Sequence, residues 1–485
     1  MSQRLIVGPF NRVEGDLEVQ LDIADGRVTQ ARVNATMYRG FEQMLAGRAP
    51  LDALVIVPRI CGICSVSQSV AAARAIADAS GVTVPPNGVH TINLMLACEN
   101  LADHLSHFYL FFMPDFTRPV YAQRPWFAEA NRRFAALAGE HARAAVAARQ
   151  RWFEIMGTLG GKWPHTLSIQ PGGSARAVEA AERIRLLAKV REFRAFLETT
   201  TFGAPLEEIA ALDSEAALQR WHAADPMRGD LRLFLTLAAD LGLETLGRGP
   251  GRTLSFGAYR QPDGSHALAD GVWSESLGRV QPVDTGAIRE DATHAWLAGD
   301  AALHPSEGLT APMLDKPGGY TWNKAPRLSG EVVETGAIAR QLASGQLLIR
   351  DAVARCGANV YTRVLARLVE LARVLPMTEQ WLTALAPREP FFHADRLPAD
   401  ADGVGLTEAA RGALGHWVSV RHGRIERYQI VAPTSWNFSP RDAAGTPGAL
   451  EAALEGAPVQ PGEDTPVAVQ HIVRSFDPCM VCTVH

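Results

Sequence analysis

Cysteine is scarce in this chain. Six residues in 485 are too few for a secreted disulfide scaffold, and in a reducing compartment they stay free to act as thiols. Charge of one sign is scarce too: a formal net charge of −5 and the lack of any dense Lys/Arg run argue against nucleic acid or an anionic membrane as a partner. No apolar run approaches the roughly 20 residues that span a bilayer, and Met1 to Phe10 has no basic stretch leading into an apolar one. The chain is therefore expected in the cytoplasm without direct membrane insertion. The two Gly-rich runs, Arg248-Gly249-Pro250-Gly251-Arg252 and Lys316-Pro317-Gly318-Gly319, lack the glycine spacing of a phosphate-binding loop or a dinucleotide-binding turn. With no internal repeat, low-complexity tail or clear linker, residues 1–485 read as a single domain.

At 47% hydrophobic and 20% charged residues, the composition is that of a globular protein with a sizeable core. Alternation at Leu17, Val19, Leu21 and Ile23, broken at Ala24-Asp25-Gly26 and resumed from Val28 to Val33, predicts a β-hairpin; Trp417–Val420 and Arg424–Val431 around His422-Gly423 predict a second. Helices are expected at Val66–Ala79, Ile92–Phe112, Trp126–Met156 and Arg176–Thr201, the last with Ile184, Leu187, Val190 and Phe193 on one core-facing side. Residues Thr245 to Asn323 read as irregular strands and loops.

The chemistry is concentrated in two Cys-x-x-Cys pairs, Cys61/Cys64 and Cys479/Cys482, about 410 residues apart. Four thiolates would make a soft pocket for a transition metal, and the first pair falls at a predicted helix N-terminus, where the dipole favours thiolate. A structural zinc site is the bland alternative, although zinc ribbons usually place their pairs roughly 15 to 20 residues apart. Independent disulfides or thioredoxin-like redox pairs are further alternatives, although neither pair follows the βαβ context expected of such a redox motif.

The flanks are more specific. Arg59-Ile60-Cys61-Gly62-Ile63-Cys64 and Asp477-Pro478-Cys479-Met480-Val481-Cys482-Thr483-Val484-His485 closely resemble the two signature motifs of the large subunit of NiFe hydrogenases. Arg12-Val13-Glu14-Gly15, Arg39-Gly40-Phe41-Glu42, Asp103 to Tyr109, Lys324-Ala325-Pro326-Arg327 and Pro433-Thr434-Ser435-Trp436-Asn437 resemble further family blocks in family order. The resemblance implies a mixed α/β (α+β) fold with a central helical bundle and peripheral β-sheets around a Ni-Fe centre with CO and CN ligands. Cys61 and Cys479 would be terminal nickel ligands, and Cys64 and Cys482 would bridge nickel and iron. Cys479 would accept the proton of dihydrogen and Glu14 would relay it. Arg327, oriented by Asp103 and Asp477, would stand beside the diatomic ligands, with Pro326, Pro433 and the Thr434 hydroxyl completing their surroundings. Glu42 and His485 would hold Mg2+. His104 and His107 are expected to be packing or hydrogen-bonded residues. With only Cys98 and Cys356 left over, iron-sulfur clusters belong to a partner small subunit.

Three departures from the energy-converting members, Gln68 and Asp16 where those usually carry His and a chain that stops at His485, resemble the regulatory, hydrogen-sensing branch. Ile63 and Phe111 fall where bulky residues are thought to narrow that branch's gas channel. The expectation is a slow, H2-cleaving sensor that signals through its small subunit to a histidine kinase; an uptake hydrogenase is the first alternative and a structural zinc protein the second.

Overall fold

A computed structural model describes residues 3–483 and 485. The chain opens with an antiparallel sheet, Gln3–Val7, Leu17–Ala24 and Arg27–Ala35, with the predicted turn at Asp25-Gly26. Leu17, Val19, Leu21 and Ile23 all point inward, as strand alternation requires. Next come the helices Ser65–Ser80 and Pro86–Ser106. The latter packs along Val360–Ala384, and nearly every residue of the first of these two partners is buried. These two form the centre of the molecule, and the sheets lie around it.

The second predicted hairpin is the edge of a sheet Ala401–Ala409, Gly412–Arg421 and Arg424–Val431. Its turn residues His422 and Gly423 both have positive φ, as a two-residue type I′ turn demands. This sheet lies on the helix Ser65–Ser80 so closely that a Cβ at Gly403 or Gly405 would fall 2.1 Å from the Ala75 carbonyl or 1.9 Å from that of Ala71. The helix that follows the first cysteine pair is thus clamped by backbone on backbone.

Three expectations need correction. The stretch Trp126–Met156 is divided into helices Phe127–Phe134, Glu140–Trp152 and Glu154–Gly160, with Leu137 in the left-handed region at the first break. On Ala180–Phe196 the inward residues are Leu186, Val190 and Phe193, whereas Ile184 is 67% exposed. Within Thr245–Asn323 there is a regular antiparallel sheet, Arg252–Arg260, His266–Ser274 and Arg279–Gln281, before the chain becomes irregular. Positive φ at Gly257, Tyr259 and Gly271 breaks the strand alternation that would have revealed it.

Candidate metal centre

The two ends of the chain meet at the four cysteines. Cys64 is the N-cap of the helix Ser65–Ser80, and Cys61 closes the short turn Val57–Ile60. Cys479 follows the helix Val467–Phe476, which stops at Asp477 in the left-handed conformation that Asp tolerates better than most residues. The N-terminal segment braces this second pair by backbone: Glu14 N–H donates to the Pro478 carbonyl (3.4 Å) and Met480 N–H to that of Glu14 (2.8 Å). Gly15, at φ 78°, lets the chain pass, since a Cβ there would touch Val481 at 3.0 Å. Arg39 ties both motifs together by donating to the carbonyls of Ile60 and Val481, the residues just before Cys61 and Cys482.

All four sulfurs lie within 4.8 Å of one another and all are buried. Cys61 Sγ is 3.3 Å from Cys479 Sγ, Cys64 Sγ 2.9 Å from Cys482 Sγ, and Cys479 Sγ 3.1 Å from Cys482 Sγ. So compact a set cannot ionise fully on its own. Burial drives Cys479 and Cys482 up and contact with Cys479 drives Cys64 up; Cys61 goes down, where hydrogen bonds from the other thiols and the Arg411 charge outweigh burial. A soft cation replaces the shared protons in such a set, so the donors fit a thiolate-bound transition metal.

The guanidinium beside this cage is Arg411, not Arg327. Arg411 Nη1 and Nη2 donate to the Asp103 carboxylate, Nη2 also to Asp477 Oδ1 (3.1 Å), and Nε to the Asp477 carbonyl (3.0 Å). Arg327 is held elsewhere: Nε donates to Asp442 Oδ2 at 2.9 Å, and its other nitrogens bond Ser439, the backbone and the Thr446 carbonyl. Asp103 and Asp477 therefore orient a different arginine from the one the sequence pointed to. Gly412, where a Cβ would sit 2.3 Å from Thr335 Oγ1, fixes how the strand leaves Arg411.

Compared with known proteins, the chain matches the family described as nickel-dependent hydrogenase over residues 39–132 and 128–485. The chain belongs to that family. It is 31% identical to the periplasmic NiFeSe hydrogenase large subunit of Desulfomicrobium baculatum, covering 99% of this chain and 95% of the relative. It is 26% identical to the uptake hydrogenase large subunit of Rhodobacter capsulatus, over 100% of this chain and 95% of the relative. A solved structure of the reduced, active Ni-Fe-Se hydrogenase from D. baculatum matches with a TM-score of 0.88 at 29% identity, covering both chains completely. The mixed α/β architecture expected from the sequence is thus the family's, and the chain is a hydrogenase large subunit, an oxidoreductase component.

Other hydrogenase residues singled out in the sequence fall as follows. Thr434 Oγ1 accepts from Cys479 N–H (3.2 Å), with Pro433 at the start of its short helix and Pro326 in the strand Ala325–Leu328. Glu14 is half-buried, and burial followed by the nearby Cys61 raises its carboxyl above the ordinary range against Arg411 and Arg39. Glu42 is buried, accepting from Ile430 N–H (2.8 Å) and the Thr310 hydroxyl. His485 faces the Cys482 carbonyl with Nδ1 (2.8 Å) and the Ile430 carbonyl with Nε2 (2.6 Å), 3.7 Å from Glu42 Oε1. Burial lowers the pKa of this imidazole despite Glu42, and the neutral ring has one proton for two carbonyls. One ring nitrogen then opposes an oxygen lone pair, an arrangement that a cation among His485, Ile430 and Glu42 would resolve.

His104 and His107 bond Glu370 (2.9 Å) and the Arg474 carbonyl (2.7 Å). Ile63 and Phe111 are both half-buried, and Asp16 is exposed. Gln68 does not leave its surroundings without an imidazole: Gln68 Oε1 is 2.9 Å from His416 Nε2, supplied by the strand Gly412–Arg421, and His416 Nδ1 is 2.8 Å from the Tyr428 hydroxyl. Sequence spacing could not show that partner. Among the described residues no helix is long and apolar enough to cross a membrane.

Proposed function

We propose that this large subunit oxidises dihydrogen at a Ni-Fe centre held by Cys61, Cys64, Cys479 and Cys482. The observation that carries this reading is the convergence of those four sulfurs within 4.8 Å, with Glu14 backbone-paired to the Cys479 segment. When bound, the centre would supply heterolytic cleavage of dihydrogen, whose overall oxidation yields two protons and two electrons. The chain's own groups manage the rest. Cys479 Sγ takes a proton and Glu14 receives it, burial having raised the affinity of its carboxylate for a proton. Arg411 balances thiolate charge. Because Thr434 Oγ1 already accepts from Cys479 N–H, its own hydrogen is free to donate to a diatomic ligand of iron. Glu42, the Ile430 carbonyl and His485 would hold a hard divalent cation such as magnesium. Of the two cysteines outside the cage, Cys98 is buried against Trp152 and Cys356 turns onto its own helix, so the electrons leave through an iron-sulfur small subunit.

Uptake is the reading that the relatives' names favour, and we place it first. The sensory reading, with a histidine kinase as partner, rests on Gln68 and its bond to His416 where energy-converting members usually carry His. A cytoplasmic location stays part of the proposal, since one relative carries a periplasmic name; cell fractionation decides it. The central test is metal analysis and infrared spectroscopy of the purified two-subunit complex. Nickel and iron with CO and CN bands are expected, and zinc alone would overturn the reading. Turnover with an artificial acceptor separates the two roles: rates above about 10 s⁻¹ with loss under oxygen mean uptake, and slow, oxygen-indifferent turnover means sensing.

A further inference from the structure

Away from the metal centre, a cleft of about 760 Å³ opens between the C-terminal half of the helix Ser65–Ser80, the start of Pro86–Ser106, and the strands Arg252–Arg260 and His266–Ser274. That volume lies in the range of small-molecule sites. Val70, Ala73, Ile92, Phe256 and Leu406 supply apolar lining. Arg74, Arg260 and His266, from the same helix and strands, line it as well.

The arginines are the unusual part. Neither half-buried Arg74 nor exposed Arg260 makes an ion pair among the described residues. Arg74 Nη1 donates only to the Leu406 carbonyl (2.6 Å). Burial, and then the neighbouring Arg260, push Arg74 down to about 10, and burial followed by Arg74 depresses His266. The two carboxylates that line the cleft form no ion pair with either arginine: Asp78 accepts from Val404 N–H (2.9 Å), and Asp270 lies beside His266 (3.4 Å). The backbone that presents Arg260 is also constrained. Tyr259 sits at φ 60°, rare for a bulky residue within a strand, and the buried Asn93 side chain donates to the Arg260 carbonyl at 2.8 Å. Arg74 and Arg260 thus face one cleft with neither paired to a carboxylate, and an oxyanion there would give both a partner.

We propose that this cleft binds an oxyanion, carboxylate or phosphate, carried on an apolar body, with Arg74 and Arg260 holding the charge and Val70, Ile92 and Phe256 covering the tail. The occupant would hold the helix whose N-cap is Cys64, about 15 Å along the axis from Arg74. It would therefore act on a rigid element that starts at the metal cage.

The test is calorimetric titration of the purified complex with octyl phosphate, octanoate, inorganic phosphate and octanol, in the wild type, Arg74→Gln and Arg260→Gln. The two octyl oxyanions are expected to bind, with phosphate and carboxylate arms showing which head is preferred. Each substitution should weaken them at least about tenfold. Inorganic phosphate should bind more weakly and octanol not at all. No heat with either octyl anion, affinity unchanged in both variants, or phosphate binding as tightly as octyl phosphate would overturn the proposal. Arg260 is exposed, so its variant carries the test even where Arg74→Gln disturbs the helix.

Discussion

Two buried arginines near the centre of the molecule share one recipe and perform different tasks. Arg340 lies between Glu370 (2.7 Å) and Glu408 (2.8 Å); Arg411 lies between Asp103 and Asp477. In each unit one carboxylate stays ionised and burial pushes the other up to about 7: Glu370 and Asp477 are held low against burial by their arginine, while Glu408 and Asp103 rise despite it. The difference lies in what comes next. Arg340 spends its remaining donors on the carbonyls of Ala409 and Ala410, and Glu370 also takes His104 and Gln341, so that network is closed. Arg411 instead directs its field at Cys61 and Cys479. Since Ala409 and Ala410 immediately precede Arg411, the closed unit is also the support of the open one. Burial and pairing alone do not identify a catalytic charge; its neighbours do.

The largest effect should come from removing a sulfur. Cys482→Ala is expected to cut bound nickel to under about a tenth and abolish turnover while leaving the Arg340 network and its contribution to unfolding intact. Elemental analysis with a denaturant melt checks both halves, and full nickel loading would break the assignment. Next comes Arg340→Met, which strands Glu370 and Glu408 without their cation and should cost about 3–5 kcal/mol of stability. Arg411→Lys keeps the charge but loses the fork that spans two carboxylates, so turnover should fall about 10²-fold with a smaller loss of stability. If Arg411→Lys unfolds the protein more readily than Arg340→Met, the division of labour between the two arginines is reversed.

The cage was legible because its information is local. Each Cys-x-x-Cys pair carries its flanking residues with it, and the Asp25-Gly26 and His422-Gly423 turns announce their hairpins through residues that accept positive φ. Arg411 was not legible for the opposite reason. Its role comes from Asp103 and Asp477, 308 and 66 residues away, and from a support built by Arg340; nothing within a few positions of Arg411 records those contacts. Choosing Arg327 followed a block that looks like a family motif, but the chain folds that guanidinium onto Asp442, 115 residues away. The His416 that meets Gln68 was hidden in the same way, by a separation of 348 residues. Ile184 was misread because helical spacing gives the stripe of a helix without saying where its apolar face ends.

The smallest effect belongs to Glu99, which sharpens the contrast between a charge held by an arginine and one held only by dipoles. Its carboxylate accepts from Val66 N–H (2.8 Å), Ser67 N–H (2.9 Å), the Ser67 hydroxyl and Trp163 Nε1, at the start of the helix that Cys64 caps. These donors favour the ionised form, yet burial outweighs them and raises the group from 4.5 to about 7. A carboxyl whose folded pKa lies above its unfolded value binds its proton more tightly when folded. Its contribution to stability is complete below about pH 4.5 and is lost as pH rises through about 7. Between pH 5 and pH 7 this single group should remove about 2 kcal/mol. Glu99→Gln takes away the titration, so the stability of the wild type relative to the variant should decline over that interval in denaturant melts. A difference that stays flat with pH would mean that the helix N-terminus, rather than burial, sets the charge of Glu99, and that a ring of dipoles there equals an arginine.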